Sequence, residues 1–282
     1  MLSPCRNFVT LADRLPAVRP EKVEEMSLTD SMENRIAVVT GASSGVGREI
    51  AHQLAERGCH LWLTYHSDDE PVRHLQGVFG GKQRIEAKQV DLTDDKAVSS
   101  FFGRIAEEGE GLDYLVNNAS FWSEDLWDAD PVTLEASDLR DVFEVDLLGS
   151  FRAIRQAIPL MLQKGGGSIV NFSSSDSLRG DPKAFAYNPA QVAVLGLTRS
   201  VARRYAPDIR CNAIAPGPID TGWTERWGLS DSEKEDVGSK NGLLKRMGRP
   251  DEIASLACYL LSDPAGYING QIIRADGGGS IA

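Results

Sequence analysis

The stretch IAVVTGASSGVGREIA, residues 36–51, constrains the fold more than any other. A short β-branched run, 36–40, passes through a glycine cluster into a helix whose Val46, Ile50 and Leu54 recur every four residues. Gly41, Gly45 and Gly47 occupy the turn, with Ser43 and Ser44 between them. A turn built from residues without Cβ lets backbone N–H groups approach a pyrophosphate at the helix N-terminus. The spacing is TGxxxGxG, and its place directly after the first strand marks a dinucleotide site.

Strand and helix then alternate. HLWLTY (60–65) follows Gly58, a natural helix stop. Further strand candidates are 85–92, 114–119, 168–174, 209–217 and 270–276, with helical stretches between them. Such alternation calls for parallel strands joined by right-handed crossovers, hence an α/β, Rossmann-like doubly wound sheet with helices on both faces. No linker-like stretch divides residues 35–282, which read as one domain. Residues 1–34 are polar and lack the apolar core of a secretory signal. They read as a flexible extension or an upstream start, Met26 and Met32 both preceding the first strand, with a docking arm as the alternative.

The formal net charge of −11 argues against nucleic-acid or anionic-membrane partners. Cys5, Cys59, Cys211 and Cys258 show no CxxC or metal-ligand spacing and read as reduced thiols of a cytoplasmic protein. No metal site is expected. No apolar run approaches the ~18 residues that a membrane span needs.

TGASSGVG, the DL at 91–92, NNAS at 117–120, SIVNFSS, Tyr187 heading a helix, PGPIDT at 216–221 and GRPDEIASLACYLLSDPAGYINGQIIRADGG follow in that order. Over about residues 35–280 the chain resembles the short-chain dehydrogenase/reductases, in particular the single-domain type that includes β-ketoacyl-carrier-protein reductases. The resemblance implies about seven parallel strands, a bound nicotinamide dinucleotide and a homotetramer, or else a dimer, associated through 251–262 and 270–276. It implies that Asp91 and Leu92 flank the adenine, and that Asn117 and Ala119 lie at the ribose side. Pro216, Gly217, the Ile219 backbone and Thr221 would hold the nicotinamide end. For NNAS the alternative is that it ties the sheet together, and for the C-terminal DGG that reading is preferred.

A carboxylate at the end of the second strand would bond the free 2′-hydroxyl of NAD and repel a 2′-phosphate. Tyr65 takes that place, followed by His66 and Ser67. With the repulsion absent and Ser43, Ser44, His66 and Ser67 available as donors, NADP(H) is expected over NAD(H).

By the same resemblance Tyr187 gives or takes the substrate proton, and Ser174, thirteen residues before it, orients the substrate. The remaining two catalytic positions depart from the family pattern. Gln191 stands where a lysine is expected, one helical turn after Tyr187, and Asp146 stands where asparagine is usual. Glutamine can bond ribose hydroxyls but cannot lower the tyrosine pKa by charge. An ionised Asp146 would raise that pKa. Three readings follow. One is a reductase acting on an imine, an activated enone or a carbonyl, with Asp146 as counter-charge to a cationic substrate. Another is a redox-neutral cyclase, dehydratase or isomerase using Asp146 as acid or base. The last is a non-catalytic nucleotide-binding protein, against which the intact glycine turn, Ser174 and Tyr187 argue.

Trp122 and Trp127 follow NNAS, and Trp223 and Trp227 follow PGPIDT, so four of the five tryptophans border the expected substrate mouth. They form either a lid packed on itself or a roomy pocket for an aromatic or polycyclic substrate of specialised metabolism.

Overall fold

A computed structural model describes residues 32–121, 123–221 and 230–281. Seven parallel strands form one sheet in the order β3-β2-β1-β4-β5-β6-β7. They are β1 (Ile36–Val39), β2 (His60–Tyr65), β3 (Ile85–Gln89), β4 (Tyr114–Asn117), β5 (Gly167–Phe172), β6 (Ile209–Pro216) and β7 (Ile272–Ala275). The strand order reverses between β1 and β4, so a crevice opens there at the strand C-terminal ends.

Alternate residues of β1 face opposite sides of the sheet. Ala37 and Val39 join a core with Ile50 and Leu54 of α1 (Gly45–Glu56) and with the helix Pro250–Leu261. Ile36 and Val38 join a second core with Phe101 of α3 (Asp95–Glu107) and Ile154 and Met161 of α6 (Ser150–Gln163). Because helices cover both faces, β1 reads as a continuous apolar run instead of an alternating one. Each fully buried Leu or Ile contributes about 2 kcal/mol of hydrophobic stabilisation. The other helices leading to the site are α2 (Glu70–Phe79), α4 (Glu124–Trp127), α5 (Ala136–Phe143), α7 (Ser175–Arg179) and α8 (Tyr187–Tyr205).

The sequence boundary at residue 34 is corrected by the structure. Met32 is only 3 % exposed and packs in the first core, and its N–H bonds the Arg57 carbonyl at 2.9 Å. Asn34 N–H bonds Gly58 O at 3.2 Å, so residues 32–34 fold with the domain. Gly58 ends α1 as expected, with φ +89 and Glu33 packed where a Cβ would stand. The first 31 residues lie outside those described.

Among the described residues no helix is long and apolar enough to cross a membrane, and no cluster of His, Cys, Asp or Glu could hold a metal ion. Cys59, Cys211 and Cys258 are free and buried.

Candidate active site

The glycine turn joins β1 to α1 and lies against the end of β4. Gly41 has φ +64, and a Cβ there would stand 2.9 Å from Ala119 Cα. A Cβ on Gly47 would meet Asn118 Nδ2 at 2.3 Å and Gly41 O at 2.4 Å. Asn118 Nδ2 itself donates to the carbonyls of Thr40 (3.2 Å) and Gly41 (3.1 Å), which fixes the turn. Ser44 precedes α1 without capping it by its side chain, and Thr221 packs beside Gly45. Bare backbone at a helix N-terminus is an anion cradle, so this part of the chain fits a dinucleotide pyrophosphate. Ser43 is partly buried, Ser44 is exposed, and Val46 packs on the first core.

Gly47→Ala is therefore expected to push the turn open. Overpacking of this kind costs on the order of 1–3 kcal/mol, which corresponds to roughly 5- to 150-fold weaker binding if the strain falls on the cradle. Calorimetric titration of the variant with a nicotinamide dinucleotide measures it. Unchanged affinity would separate the turn from the cofactor.

Tyr65 ends β2, with His66 and Ser67 exposed beyond it. Asp91 follows β3; its carboxylate accepts from Thr93 N and Oγ1, both at 2.8 Å, and these bonds hold its pKa below the ordinary value. His66 lies near enough to Asp91 to add to that effect. Leu92 is buried. The Asn117 side chain is buried in the sheet and donates to Asn171 Oδ1 at 2.8 Å, and Asn171 in turn donates to Thr198. Asn117 therefore ties β4 to β5, while its own Oδ1 is buried without a partner. Pro216 ends β6, Gly217 follows it against Asp276, and Ile219 pairs with Gly248 in an isolated bridge.

Tyr187 opens α8 and Ser174 caps α7 just past the end of β5, and their hydroxyls are hydrogen-bonded. Ser174 Oγ also accepts from Asp176 N at 3.2 Å. Ser173 Oγ bonds the Gln191 carbonyl at 2.9 Å, fixing α8 to the strand end.

Asp146 sits on a six-residue π-helix, Glu144–Gly149, between α5 and α6. Such wide turns recur at functional sites because they re-aim a side chain. Here Asp146 is 2 % exposed and points at α8. Gln191 Nε2 donates to its Oδ2 at 2.7 Å, Ser120 Oγ donates to the same oxygen at 3.0 Å, and Phe121 N–H donates to Oδ1 at 2.7 Å. Gln191 and Asp146 are thus direct partners. Burial outweighs these three bonds and raises the Asp146 pKa to about 7. Gln191 Oε1 is buried without a partner, an acceptor free to take a ribose hydroxyl.

Burial also raises the Tyr187 pKa, and the negative charges of Asp146 and Asp176 raise it further; bonds from Ser174 and Ser120 oppose them only in part. The phenol stays protonated throughout the physiological range. It can donate a proton but is a poor base.

Trp127 faces Tyr187 with ring centroids 5.9 Å apart, and Ala184 N–H ties the adjoining loop to the Trp127 carbonyl at 2.7 Å. Phe121, Leu126, Val142 and Ala186 complete an apolar wall around a small cavity of about 20 Å³ beside Tyr187. A larger cavity of about 250 Å³ opens among Ile219, Arg246, Glu252 and Arg274. Trp122, Trp223 and Trp227 lie outside the described residues.

Sequence reasoning missed Ser120, Phe121 and Asp176. Ser120 and Asp146 are 26 residues apart, on elements whose contact no local spacing encodes.

The family described as Enoyl-(Acyl carrier protein) reductase matches residues 41–280. A probable short-chain type dehydrogenase/reductase of Bradyrhizobium diazoefficiens is 35% identical over 248 residues, covering 87% of each chain. The 3-oxoacyl-(acyl-carrier-protein) reductase of Staphylococcus aureus is 35% identical over 250 residues, 86% of this chain and 96% of that one. Among solved structures, L-sorbose reductase from Gluconobacter frateurii, complexed with NADPH and L-sorbose, superposes with a TM-score of 0.82 at 26% identity, covering 90% of this chain and 99% of that one.

Proposed function

The chain belongs to the short-chain dehydrogenase/reductase family of oxidoreductases, and from that premise we propose that it is an NADP(H)-dependent reductase of a bulky or aromatic C=N, C=O or activated C=C substrate. The observation that carries this reading is the Tyr187–Ser174 hydroxyl pair, set in an apolar wall at the strand ends beside the glycine cradle. The dinucleotide supplies a hydride when bound. The glycine turn would hold its pyrophosphate, Asp91 and Leu92 its adenine, and Gln191 Oε1, Pro216, Gly217, Ile219 and Thr221 its nicotinamide half. Ser174 orients the substrate heteroatom and Tyr187 donates the proton to it.

A phenol held protonated suits reduction better than oxidation, because oxidation needs a phenolate base. Asp146 and Asp176 give the surroundings of Tyr187 a negative potential, which favours a substrate that becomes cationic. A C=N group protonated on nitrogen is the class that benefits most. The redox-neutral reading requires Asp146 to touch substrate. Its burial, with both oxygens already bonded, weighs against that. Trp127 and Phe121 offer aromatic faces beside Tyr187, and the cavity of about 20 Å³ there has to open before an aromatic substrate can enter.

Tyr65, His66 and Ser67 place no carboxylate against a 2′-phosphate, which supports NADPH over NADH. Homotetramer assembly belongs to the same proposal, supported by the partly exposed edge strand β7 and by Tyr259, exposed on the helix Pro250–Leu261.

The test is calorimetry with NADPH and NADH, followed by turnover of aromatic ketones and cyclic imines. Tighter binding of NADPH and reduction of at least one class are expected. No binding of either dinucleotide would sink the reductase reading.

A further inference from the structure

Ser120 stands between the two groups on which the chemistry depends. Its hydroxyl is 3.0 Å from Asp146 Oδ2 and is also hydrogen-bonded to Tyr187. The other two donors to the Asp146 carboxylate are the Phe121 N–H and the Gln191 amide, neither of which exchanges a proton as an acid. Ser120 is thus the one hydroxyl bonded to the Asp146 carboxylate among the described residues, since Ser150 Oγ reaches only the Asp146 backbone carbonyl, at 2.7 Å, and Ser120 can both donate and accept. Tyr187 has a second hydroxyl neighbour in Ser174, which leads toward Asp176. Asp176, however, is engaged by Arg179 at 2.6 Å and serves as an ion-pair partner.

We propose that Ser120 relays protons from the Asp146 carboxyl to the Tyr187 hydroxyl, so that a buried aspartate recharges the tyrosine where the family resemblance would place a lysine-linked chain. Tyr187 passes its proton to the nitrogen or oxygen of the substrate double bond. Ser120 passes its proton to Tyr187 Oη, and Asp146 Oδ2 passes its proton to Ser120 Oγ. One proton is consumed per hydride added, Tyr187 and Ser120 end neutral, and Asp146 ends as a carboxylate. Solvent returns the proton through Ser120, which is partly exposed, after product leaves. When the substrate is an imine, the carboxylate left behind balances the iminium charge.

The electrostatic surroundings agree with this direction of flow. From the end of β4, Asp146 faces Ser120 and Phe121, and from α8 it faces Gln191 and Tyr187. Its helix neighbour Glu144 turns away to Arg152 at 2.9 Å. Tyr187 is faced by Asp146 and by Asp176, behind which lie Arg179 and Asp181. A carboxyl that titrates near neutrality is a proton store matched to the working pH.

The relay's use in turnover rests on the reductase reading; its wiring is a property of the protein alone, and the experiment reads the two separately. In the protein without cofactor, the titration of Asp146 is followed by carbon-13 NMR of labelled aspartate. Tyr187→Phe is expected to shift it in the wild-type background and in Ser120→Thr, but not in Ser120→Ala. In turnover, Ser120→Ala is expected to lower kcat on the order of 10²-fold, with substrate KM unchanged. It should also erase the Asp146 inflection from the pH profile and make a curved proton inventory linear. Ser120→Thr should restore all three. A Ser120→Ala protein that keeps its rate and inflection overturns the relay and leaves the reductase standing. If wild type reduces neither ketone nor imine, the reductase reading fails, and the cofactor-free titration decides the relay. Tyr187→Phe shifting Asp146 equally in Ser120→Ala overturns it; coupling lost only in Ser120→Ala supports it.

Discussion

Asp146→Asn is expected to stabilise the protein at pH 8 and to have almost no effect at pH 4. The folded-state pKa of Asp146 is raised from 3.8 to about 7, so the folded protein holds this proton more tightly than the unfolded chain does. The stability contributed by that proton is fully present below about pH 4, is lost between about 4 and 7, and stays lost above. At ~1.36 kcal/mol per pKa unit the shift amounts to about 4 kcal/mol, or a rise in Tm on the order of 10 °C at pH 8. Asparagine has the same shape and keeps an acceptor for Phe121 N–H. Its amide meets Gln191 once that side chain turns its oxygen inward, which also gives the buried Oε1 a partner. Melting curves of both proteins from pH 4 to 8 provide the measurement. A difference that does not change with pH would mean that Asp146 is ionised throughout.

The second large effect concerns the pair. Gln191→Lys alone places an ammonium about where Nε2 now bonds Asp146 at 2.7 Å, and the two charges largely cancel. Little net positive charge then reaches Tyr187. In Gln191→Lys with Asp146→Asn the ammonium is uncompensated, and a close charge of this kind lowers a phenol pKa by roughly 1–3 units. Ketone reduction should rise by about 10²-fold in the double variant and by much less in either single one. Reduction of cyclic imines should fall, because the counter-charge is gone. Because the two side chains touch, their effects should be strongly non-additive. Equal ketone rates in all four proteins would show that the charge around Tyr187 does not govern the reaction.

The doubly wound sheet was legible because its signals are local. The apolar run of β1, the glycines at its end and the four-residue recurrence in α1 each follow from sterics within about a dozen residues. Helix coverage of both faces then makes every strand of such a sheet look alike, and this is why their limits could be placed closely. Glycine was legible for the same reason: at Gly41 and Gly47 only a missing Cβ fits, whatever the rest of the chain does. Tyr187, Ser174, Gln191 and Asp146 could be proposed as a set from the sequence only through the family resemblance, which no local pattern carries.

Tertiary structure decided what those residues do to one another. Gln191 and Asp146 are 45 residues apart, and only the packing of the π-helix against α8 makes them a 2.7 Å pair instead of two separate substitutions. The same packing withdraws Asp146 from water, and desolvation is a property of the enclosing volume that no residue type carries in its own sequence position. Asn117 is a further case, since its cross-strand bond to Asn171 holds the amide inside the sheet, a contact that depends on strand register. Ser120 lay within a quoted motif, yet its meeting with both Asp146 and Tyr187 depends on the end of β4 reaching the first turn of α8. The sequence specified which groups are present; their charge, and the route by which a proton can pass between them, came from distances and burial that exist only in the folded chain.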